Sequence, residues 1–431
     1  MRAPLQTNTM RSVRCLTVLA AALCLLAACS KNKNPEQPAK LGPIKSTLRV
    51  EHIWSASVAD RGAKKLRLGL GLALDGSQVF ASGHKGVVEA FDLQTGHRLW
   101  RTKTKLPLGG GPAVRGNLVV VGASDGHVIA LNAATGKPLW TVSVNGAVIS
   151  APAISDNVVA VRSADGKLRA LSPTDGHELW ELGEDIPSLS LRGTSTPVIV
   201  GDLIISGFDD GKVVAVNSSD GSQVWQATVA APHGRTEIQR LADVDGPVSV
   251  SGKDVYAVGY HGNVMMLALD SGQTWWSHTA SSYRGLALGN NVVYMATADG
   301  QIMALNPGNG SVIWTQSALR YRGLALGNNV VYMATADGQI MALNPSNGSV
   351  IWTQGALRYR GLTTIAVSDD AVIAADFQGY VHFLDKSNGA FIARVRAGRV
   401  RISNPPIVEG DEVVVINDGG HISAYRISPR T

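Results

Sequence analysis

Two short motifs hold the residues best suited to chemistry in this chain. Residues 122–126 read Gly-Ala-Ser-Asp-Gly and match G-x-S-x-G, which places a serine nucleophile on a sharp turn between a strand and a helix. Residues 243–246 read Asp-Val-Asp-Gly, like the start of a loop whose alternate carboxylates bind calcium. The first pattern would support acyl transfer, and the second would support calcium binding.

Neither motif lies in the context that its chemistry needs. The serine motif occupies the place of residues 296–300 in a similar segment, where the pattern predicts a second strand rather than a helix. The acidic motif lacks the third oxygen ligand and the closing glutamate of an EF-hand loop. The ten histidines are dispersed and form no H-E-x-x-H pair. We therefore expect no catalytic residue, no metal site and no cofactor.

The elements that would position these residues are repeated along the chain. A unit of about forty residues, D-G-x-(V/I)-x-A-(L/V)-(N/D/S)-x-x-(T/D/N/S)-G-x-x-x-W, can be read in nine near-copies. The turn glycines of the copies are Gly86, Gly126, Gly166, Gly211, Gly262, Gly300, Gly338, Gly379 and Gly419. The tryptophan position is filled by Trp100, Trp140, Trp180, Trp225, Trp276, Trp314 and Trp352, and then by Ala393. Such a period indicates a propeller, a solenoid or an array.

Each unit reads as three or four short antiparallel strands without a helix. In one copy, two apolar runs flank Asp299-Gly300, a strong signal for a tight hairpin. The turn cluster at 306–310 follows, and an apolar strand resumes at 312–314. Because no stretch shows a convincing 3.6-residue period, helical solenoids are disfavoured. The pattern predicts an all-β fold, a β-propeller of four-stranded antiparallel blades.

The two ends of the chain are expected to share one blade. The last unit stops at Ile427 without its turn and tryptophan strand, whereas residues 52–56 near the N-terminus resemble the missing strand and contain Trp54. Pairing between the ends would close the ring and leave only short, protected sheet edges. We expect the tryptophans of this slot to be apolar plugs between blades.

One unit is duplicated. Residues 283–316 and 321–354 differ only at Gly308 and Ser346, so that 283–320 and 321–358 are two copies of a 38-residue unit. The second copy either opens the ring to a ninth blade or is extruded from it. Because the copy is complete and well formed, we expect a ninth blade.

The N-terminus reads as a lipoprotein signal. Three arginines precede an apolar run at 16–28, which is the layout of a secretory signal peptide and is short for a membrane span. Translation could also start at Met10. The run ends in Leu-Ala-Ala-Cys, which resembles a bacterial lipobox and implies that Cys29 is lipidated; Ser30 after it implies sorting to the outer membrane. We expect a signal peptide at 1–28, a lipidated flexible tether at 29–49 and a single propeller at 50–431.

Cysteine usage and charge exclude several functions. Two of the three cysteines lie in the expected signal peptide, which leaves the mature chain with Cys29 alone and hence no disulfide or thiolate nucleophile. Loss of the three signal arginines takes the formal net charge from +6 to +3. Nucleic-acid binding is not indicated.

The repeat period is broken at two consecutive units. Tryptophan spacing is 38 to 41 in the regular units, but 45 from Trp180 to Trp225 and 51 from Trp225 to Trp276. The extra residues include Ser-Leu-Ser-Leu-Arg-Gly at 188–193 and Thr-Glu-Ile-Gln-Arg-Leu-Ala-Asp-Val-Asp at 236–245. Leucines beside charges could form a partner-binding patch on one face. The alternative is an ordinary strand with a solvated charged rim, and the residues by themselves leave both open.

The tryptophan repeat resembles that of quinoprotein dehydrogenases, which bind pyrroloquinoline quinone and calcium on an eight-bladed propeller. Those enzymes use an adjacent cysteine pair and are generally longer, and this chain lacks both features. The resemblance therefore implies a shared fold, which does not carry function. A quinone-dependent dehydrogenase-like protein and a glycan-binding structural lipoprotein remain the alternative functions.

The two expanded stretches, together with the lipobox and the tryptophan repeat, resemble the BamB family over essentially the whole mature chain. The resemblance implies an eight-bladed lipoprotein of the outer-membrane β-barrel assembly machinery that faces the periplasm, with no catalysis and no cofactor. It would bind the POTRA domains of BamA, beside other complex subunits, and aid insertion of outer-membrane proteins. Unfolded clients are a further candidate partner, held at strand edges by β-augmentation. Carried over by motif, Leu189, Leu191 and Arg192 would be the main contacts, supported by Arg240, Asp243 and Asp245.

Overall fold

The computed structural model describes residues 36–58, 69–184, 186–187, 189, 195–317, 321–327 and 329–430. In these residues the regular secondary structure consists of 37 β-strands and no helix. The strands form nine sheets, which are the blades of a nine-bladed β-propeller. The compact unit that contains the ring spans Ala39–Thr431. The all-β propeller predicted from the repeats is confirmed, and no helix in the described ranges is long and apolar enough to cross a membrane.

The blades follow one another along the chain, and each begins with its innermost strand. Blade 1 contains β3 (Leu72–Asp75), β4 (Gln78–Gly83), β5 (Val87–Asp92) and β6 (Arg98–Lys103). Blade 2 contains β7 (Leu108–Arg115), β8 (Leu118–Ala123), β9 (His127–Asn132) and β10 (Pro138–Ser143). Blade 3 contains β11 (Ala153–Ile154), β12 (Val159–Arg162), β13 (Lys167–Leu171) and β14 (Glu178–Gly183).

Blades 4 to 6 continue the pattern. Blade 4 contains β15 (Val198–Val200), β16 (Leu203–Gly207), β17 (Lys212–Asn217) and β18 (Gln223–Thr228). Blade 5 contains β19 (Ser249–Ser251), β20 (Asp254–Val258), β21 (Asn263–Ala268) and β22 (Thr274–Thr279). Blade 6 contains β23 (Ala287–Gly289), β24 (Val292–Ala296), β25 (Gln301–Leu305) and β26 (Val312–Ser317).

The last three blades complete the ring. Blade 7 contains β27 (Tyr321–Gly327), β28 (Val330–Thr335), β29 (Ile340–Leu343) and β30 (Val350–Gln354). Blade 8 contains β31 (Ala366–Val367), β32 (Val372–Ala375), β33 (Tyr380–Leu384) and β34 (Phe391–Arg396). Blade 9 contains β35 (Ile407–Glu409), β36 (Glu412–Ile416), β37 (His421–Pro429) and β1 (Leu48–Ser57).

Blade 9 closes the ring by joining the two ends of the chain. The N-terminal strand β1 pairs antiparallel with β37, from Leu48 opposite Pro429 to Ser57 opposite His421. This confirms the shared blade expected from the sequence. Blade 2 departs from four strands, because the short β2 (Gly69–Leu70) adds to it parallel to β7.

Burial explains the two kinds of strand sequence. Middle strands such as β8 lie between neighbouring blades, so that both of their faces are buried and they read as continuous apolar runs. Outer strands such as β10 alternate, with a buried tryptophan between exposed residues. Seven outer strands also expose a large apolar residue just before the tryptophan: Leu99, Leu139, Leu179, Val224, Trp275, Ile313 and Ile351.

Eight tryptophans each join one blade to the next, and Ala393 takes this position between blades 8 and 9. Trp100 is typical: its indole N–H donates to the carbonyl of Ala133 in blade 2 at 2.7 Å. Its ring lies against Gly136, where φ is 68° and a Cβ atom would come within 2.4 Å of the indole. The T-G-x-x-x-W pattern thus pairs a tryptophan with the glycine that makes room for the preceding blade's ring. The same donation is made by Trp54, Trp140, Trp180, Trp225, Trp276, Trp314 and Trp352.

The duplicated unit forms a blade of its own. Residues 283–317 supply blade 6 and residues 321–354 supply blade 7, which confirms insertion into the ring. The two copies differ at their innermost strands. The sequence Tyr-Arg-Gly-Leu-Ala-Leu-Gly is strand throughout in β27, whereas only its last three residues form β23.

The N-terminal segment at 39–47, here called the strap, lies against the ring. The amide of Ala39 donates to the carbonyl of Arg358 at 2.8 Å, and that of Thr47 donates to the carbonyl of Ile392 at 3.0 Å. Strand β1 then begins at Leu48. Backbone and arginine hydrogen bonds thus hold the strap to blade 8, and Leu48 and Arg49 after it pair with β37 in blade 9.

Candidate partner-binding surface

The two expanded stretches meet at the hairpin between β16 and β17 in blade 4. From the second stretch, the amide of Val244 donates to the carbonyl of Phe208 at 3.1 Å. Just before the first stretch, Glu184 accepts from Lys212 at 2.6 Å. The hydroxyl of Ser195, just after the first stretch, donates to the carbonyl of Gly246, just after the second, at 3.1 Å. The extra residues therefore contribute to one region of the molecule.

The second stretch forms an exposed lobe at residues 231–240. The side-chain oxygen of Gln239 accepts from the amides of Arg235 and Thr236, and this closes a tight turn. Every residue of the lobe is exposed, and Ile238 is 69% exposed. Among the large apolar side chains of the described residues, Ile238 has the largest exposed fraction. The sequence analysis did not single out Ile238, although it lies within the quoted motif.

The lobe is anchored by an apolar run that follows it. Leu241, Ala242, Val244 and Val248 are buried against blades 4 and 5. The imidazole of His261 meets the carbonyl of Leu241 at 3.1 Å and fixes the end of the lobe. Because the exposed lobe is followed by a buried segment, the lobe projects into solvent while the residues after it remain packed in the propeller.

Two exposed apolar side chains lie at the first stretch, one just before it and one within it. Ile186 is 52% exposed and Leu189 is 40% exposed. Leu191 and Arg192 lie outside the described residues. Exposed apolar residues thus occur in both stretches, as the partner-binding interpretation requires.

The three charged residues predicted to support the contacts occupy different environments. Arg240 is exposed and Asp245 is half-buried, whereas Asp243 is fully buried. A buried carboxylate can support the shape of the lobe but cannot be the first group that a partner meets.

A buried ion pair beneath the lobe was missed by sequence reasoning. The guanidinium of Arg162, which is 1% exposed, lies 3.3 Å from the carboxylate of Asp209 and over the ring of Phe208 at 4.4 Å. Its Nη1 also donates to the carbonyl of Ser163 at 2.8 Å. The only sequence signal is an arginine at the end of a strand whose equivalents in other blades are small or apolar. This pair connects blade 3 to the hairpin that supports the lobe.

The carboxyl group of Asp245 has a raised pKa. Burial, reinforced by the nearby charges of Asp243 and Asp209 and opposed by Arg162, raises the pKa of Asp245 to about 7. Burial also raises the pKa of Asp209, with Arg162 acting against it. The carboxyl group of Asp245 therefore changes its charge near neutral pH.

We expect Asp245→Asn to raise the free energy of unfolding at pH 8 by about 1–2 kcal/mol. This value is the free energy that corresponds to the full pKa shift of Asp245, reduced because the side chain is partly exposed. Because the folded pKa lies above that of the unfolded chain, the carboxyl group lowers the free energy of unfolding as pH rises from about 4 to about 7. The substitution should flatten this slope. Urea unfolding at pH 5 and pH 8 measures it, and an unchanged slope would contradict the assignment.

A cavity of about 610 Å³ lies beside the lobe. It is lined by His233, Gly234, Arg235, Gln239, His261, Gly262, Thr279 and Ser281. Several of these residues are polar, but the surface that they turn towards the cavity is mainly apolar. Within the described ranges, no group of three or more His, Cys, Asp or Glu side chains is arranged to hold a metal ion.

The serine motif lies on a turn between two strands, as expected. Ser124 follows β8 and precedes β9, and its hydroxyl donates to the carbonyl of Pro107 at 3.1 Å. The geometry is a blade hairpin rather than a strand–helix elbow.

The family model described as outer membrane protein assembly factor BamB matches residues 84–316 and 336–429. The interruption falls within the duplicated region. Among proteins of that name, the one from Pseudomonas aeruginosa is 35% identical over 410 residues, which is 95% of this chain and 98% of the relative. The one from Alkalilimnicola ehrlichii is 36% identical over 414 residues, which is 96% and 97% of the two chains.

Solved structures agree on the fold. The crystal structure of BamB from Moraxella catarrhalis superposes with a TM-score of 0.63 at 22% identity, covering 88% of this chain and 100% of that one. A quinohemoprotein alcohol dehydrogenase from Comamonas testosteroni gives 0.57 at 13% identity, covering 88% and 76%. At these identities the likeness concerns the propeller alone. The matches in sequence decide the family: this chain belongs to the BamB family of outer membrane protein assembly factors.

Proposed function

We propose that this protein is a non-catalytic scaffold of the outer-membrane protein assembly machinery and that it binds the periplasmic POTRA domains of BamA. The observation that carries the proposal is the meeting of two expanded, partly apolar stretches on blade 4 of a chain in this family. Leu189, Leu191 and Arg192 would provide the main contacts, with Arg240, Asp243 and Asp245 in support. Ile238 at the tip of the lobe is added to this set.

In the proposed mechanism, the protein acts by positioning its partner. Apolar anchors would supply most of the binding free energy, while the charges on the rim would set the register of the partner. A rigid ring that holds a POTRA domain would orient BamA relative to other subunits of the complex. Unfolded outer-membrane proteins are a second class of proposed partner. The outer strands offer them apolar side chains such as Leu139 and Ile351.

The proposal also covers location. Removal of residues 1–28 and lipidation of Cys29 would leave the propeller attached to the outer membrane and facing the periplasm. Such an anchor needs no membrane-spanning segment, because several acyl chains together hold a protein stably at a bilayer.

We expect the soluble chain from Ser30 onward to bind BamA POTRA domains, and the variant Leu189→Ala/Leu191→Ala/Arg192→Ala to lose at least about 3 kcal/mol, or roughly a hundredfold in affinity, because anchors at the centre of an interface dominate binding. Isothermal titration calorimetry measures the change.

A matched control is Leu99→Ala/Leu139→Ala/Arg115→Ala, which removes the same residue types from exposed positions on blades 1 and 2. It should bind like the parent. Parent-like binding by the first variant would move the site elsewhere, and failure of the folded parent to bind would reject the POTRA proposal.

A further inference from the structure

We propose that an anionic phospholipid surface docks on blade 8 at the point where the strap begins, through Arg358, Arg396 and Arg399. The proposal rests on the lipid anchor proposed at Cys29. The ten peptide links from Cys29 to Ala39 reach at most roughly 36 Å. The lipid attachment therefore keeps this part of blade 8 close to the membrane surface.

Contacts at the start of the strap bring the arginines together. Arg358 accepts a hydrogen bond from the amide of Ala39, and Nη1 of Arg360 donates to the carbonyl of Ala39 at 2.9 Å. The guanidinium of Arg360 lies 5.3 Å from the centre of the Tyr380 ring, and that of Arg396 lies 5.1 Å from the same centre. One aromatic ring thus links the strap to Arg396.

The turn after β34 extends this group. Nε of Arg396 donates to the carbonyl of Gly398 at 3.0 Å, so that the arginine folds over the turn that carries Arg399 and Val400. Val400 is 45% exposed, and Tyr359, next to Arg358, is 38% exposed. Basic side chains beside exposed apolar and aromatic ones are suited to the headgroup region of a bilayer.

The three arginines keep their charge available. All three are exposed, and none forms an ion pair with a carboxylate in the part of the chain that the structure describes. The neighbouring carboxylates are engaged elsewhere. Asp376 is buried with Arg360, and Asp418 pairs with Arg401. Asp337 accepts from Gln339 at 3.0 Å and from Thr335. Asp337 keeps its negative charge, but the three arginines outnumber it, so the patch carries a net positive charge.

The strap fixes where the anchor leaves the ring. Nη1 of Arg394 donates to the carbonyl of Gly42 at 3.0 Å, and the strap continues along β34 to Thr47. Phe391 and Ile392 in β34 are half-buried, whereas the equivalent residues of the Trp-bearing outer strands of blades 1 to 7 are exposed. The strap therefore runs along β34, and its Ala39 end lies at the arginine patch.

Flotation of the chain from Ser30 with lipid vesicles tests the proposal without the acyl anchor. The compact unit Ala39–Thr431 contains all nine blades, so the ring is intact in this form. We expect binding to vesicles of phosphatidylglycerol and phosphatidylcholine in equal parts but not to phosphatidylcholine alone. Arg358→Gln/Arg396→Gln/Arg399→Gln should lower the partition coefficient about fivefold for each arginine, and so about a hundredfold.

The matched control is Lys103→Gln/Lys137→Gln/Lys253→Gln, which removes three positive charges from exposed positions on other blades. It should lower partition by less than about fivefold. Equal loss in both variants, or no preference of the parent for anionic vesicles, overturns the proposal. POTRA binding by the arginine variant and the mass of acyl chains on Cys29 are measured separately, so that failure of this site is distinguished from failure of the proposed function.

Discussion

Excision of residues 283–320 is expected to leave a folded, closed ring of eight blades. The cut joins Ser282 to Tyr321, and because the two copies are nearly identical, each local contact of the junction is regenerated. The blade angle changes only from roughly 40° to roughly 45°, since a full turn is divided among fewer blades. Small-angle X-ray scattering and circular dichroism measure ring size and β content.

The interfaces explain why the excision should succeed. Trp276 of blade 5 packs against Val293, Met295 and Leu305 of blade 6. Trp314 of blade 6 packs in the same way against residues of blade 7, namely Val331, Met333 and Leu343. The second set repeats the first, so that blade 5 would meet in blade 7 the surface that it already fits. The carbonyl of Pro345 would replace that of Pro307 as acceptor for Trp276.

Excision of residues 104–143 is the matched control. It removes a unit of similar length, but it brings Trp100 of blade 1 against blade 3, whose facing residues and connections are not copies of those in blade 2. We expect this second deletion to aggregate or to lose cooperative unfolding. If the deletion of 283–320 did the same, interchangeability of the duplicated blades would be rejected.

Substitution of Asp376 by Asn is expected to cost about 3–5 kcal/mol of unfolding free energy, because it leaves a buried guanidinium without its counter-charge. Asp376 is fully buried in blade 8. Its Oδ2 accepts from Nε of Arg360 at 2.6 Å and from Nε2 of His382 at 2.9 Å. Its Oδ1 accepts from the amides of Gln378 and Tyr380, both at 2.9 Å. One carboxylate therefore satisfies four donors.

The ionisation states in this cluster are set by its surroundings. Burial, partly offset by Asp376, lowers the pKa of His382, so the imidazole is neutral. Its Nδ1 accepts from Nε of Arg394 at 3.1 Å, which leaves Nε2 as the donor to Asp376. Although burial raises the pKa of Asp376, hydrogen bonds from His382, the amide of Tyr380 and Arg360 hold it below its usual value.

Urea unfolding followed by tryptophan fluorescence measures the loss for Asp376→Asn. Asp156→Asn is the control, because Asp156 forms an exposed ion pair with Arg115 that is worth less than about 1 kcal/mol. Equal losses in the two variants would show that the blade 8 cluster contributes no more than a surface pair. Since Arg360 also holds Ala39, release of the strap should accompany the loss.

Part of the candidate surface could be inferred from the sequence. Unequal tryptophan spacing located both expanded stretches, and the family resemblance selected residues such as Leu189 and Arg240 within them. The pairing of Arg162 with Asp209 could not be inferred, because the two residues are 47 positions apart and belong to different blades. Nor could spacing alone separate the buried Asp243 from the half-buried Asp245.

The sequence by itself determined the propeller, its unit and its closure. Strands and turns follow from local alternation and turn residues, and the tryptophan and glycine of each unit specify how one blade meets the next. Tertiary structure alone decided the length of the innermost strand in the duplicated blades, where one heptapeptide forms β27 but only partly forms β23. It also decided the docking of the strap and the ionisation of Asp245. These depend on neighbours distant along the chain, and local periodicity carries no information about them.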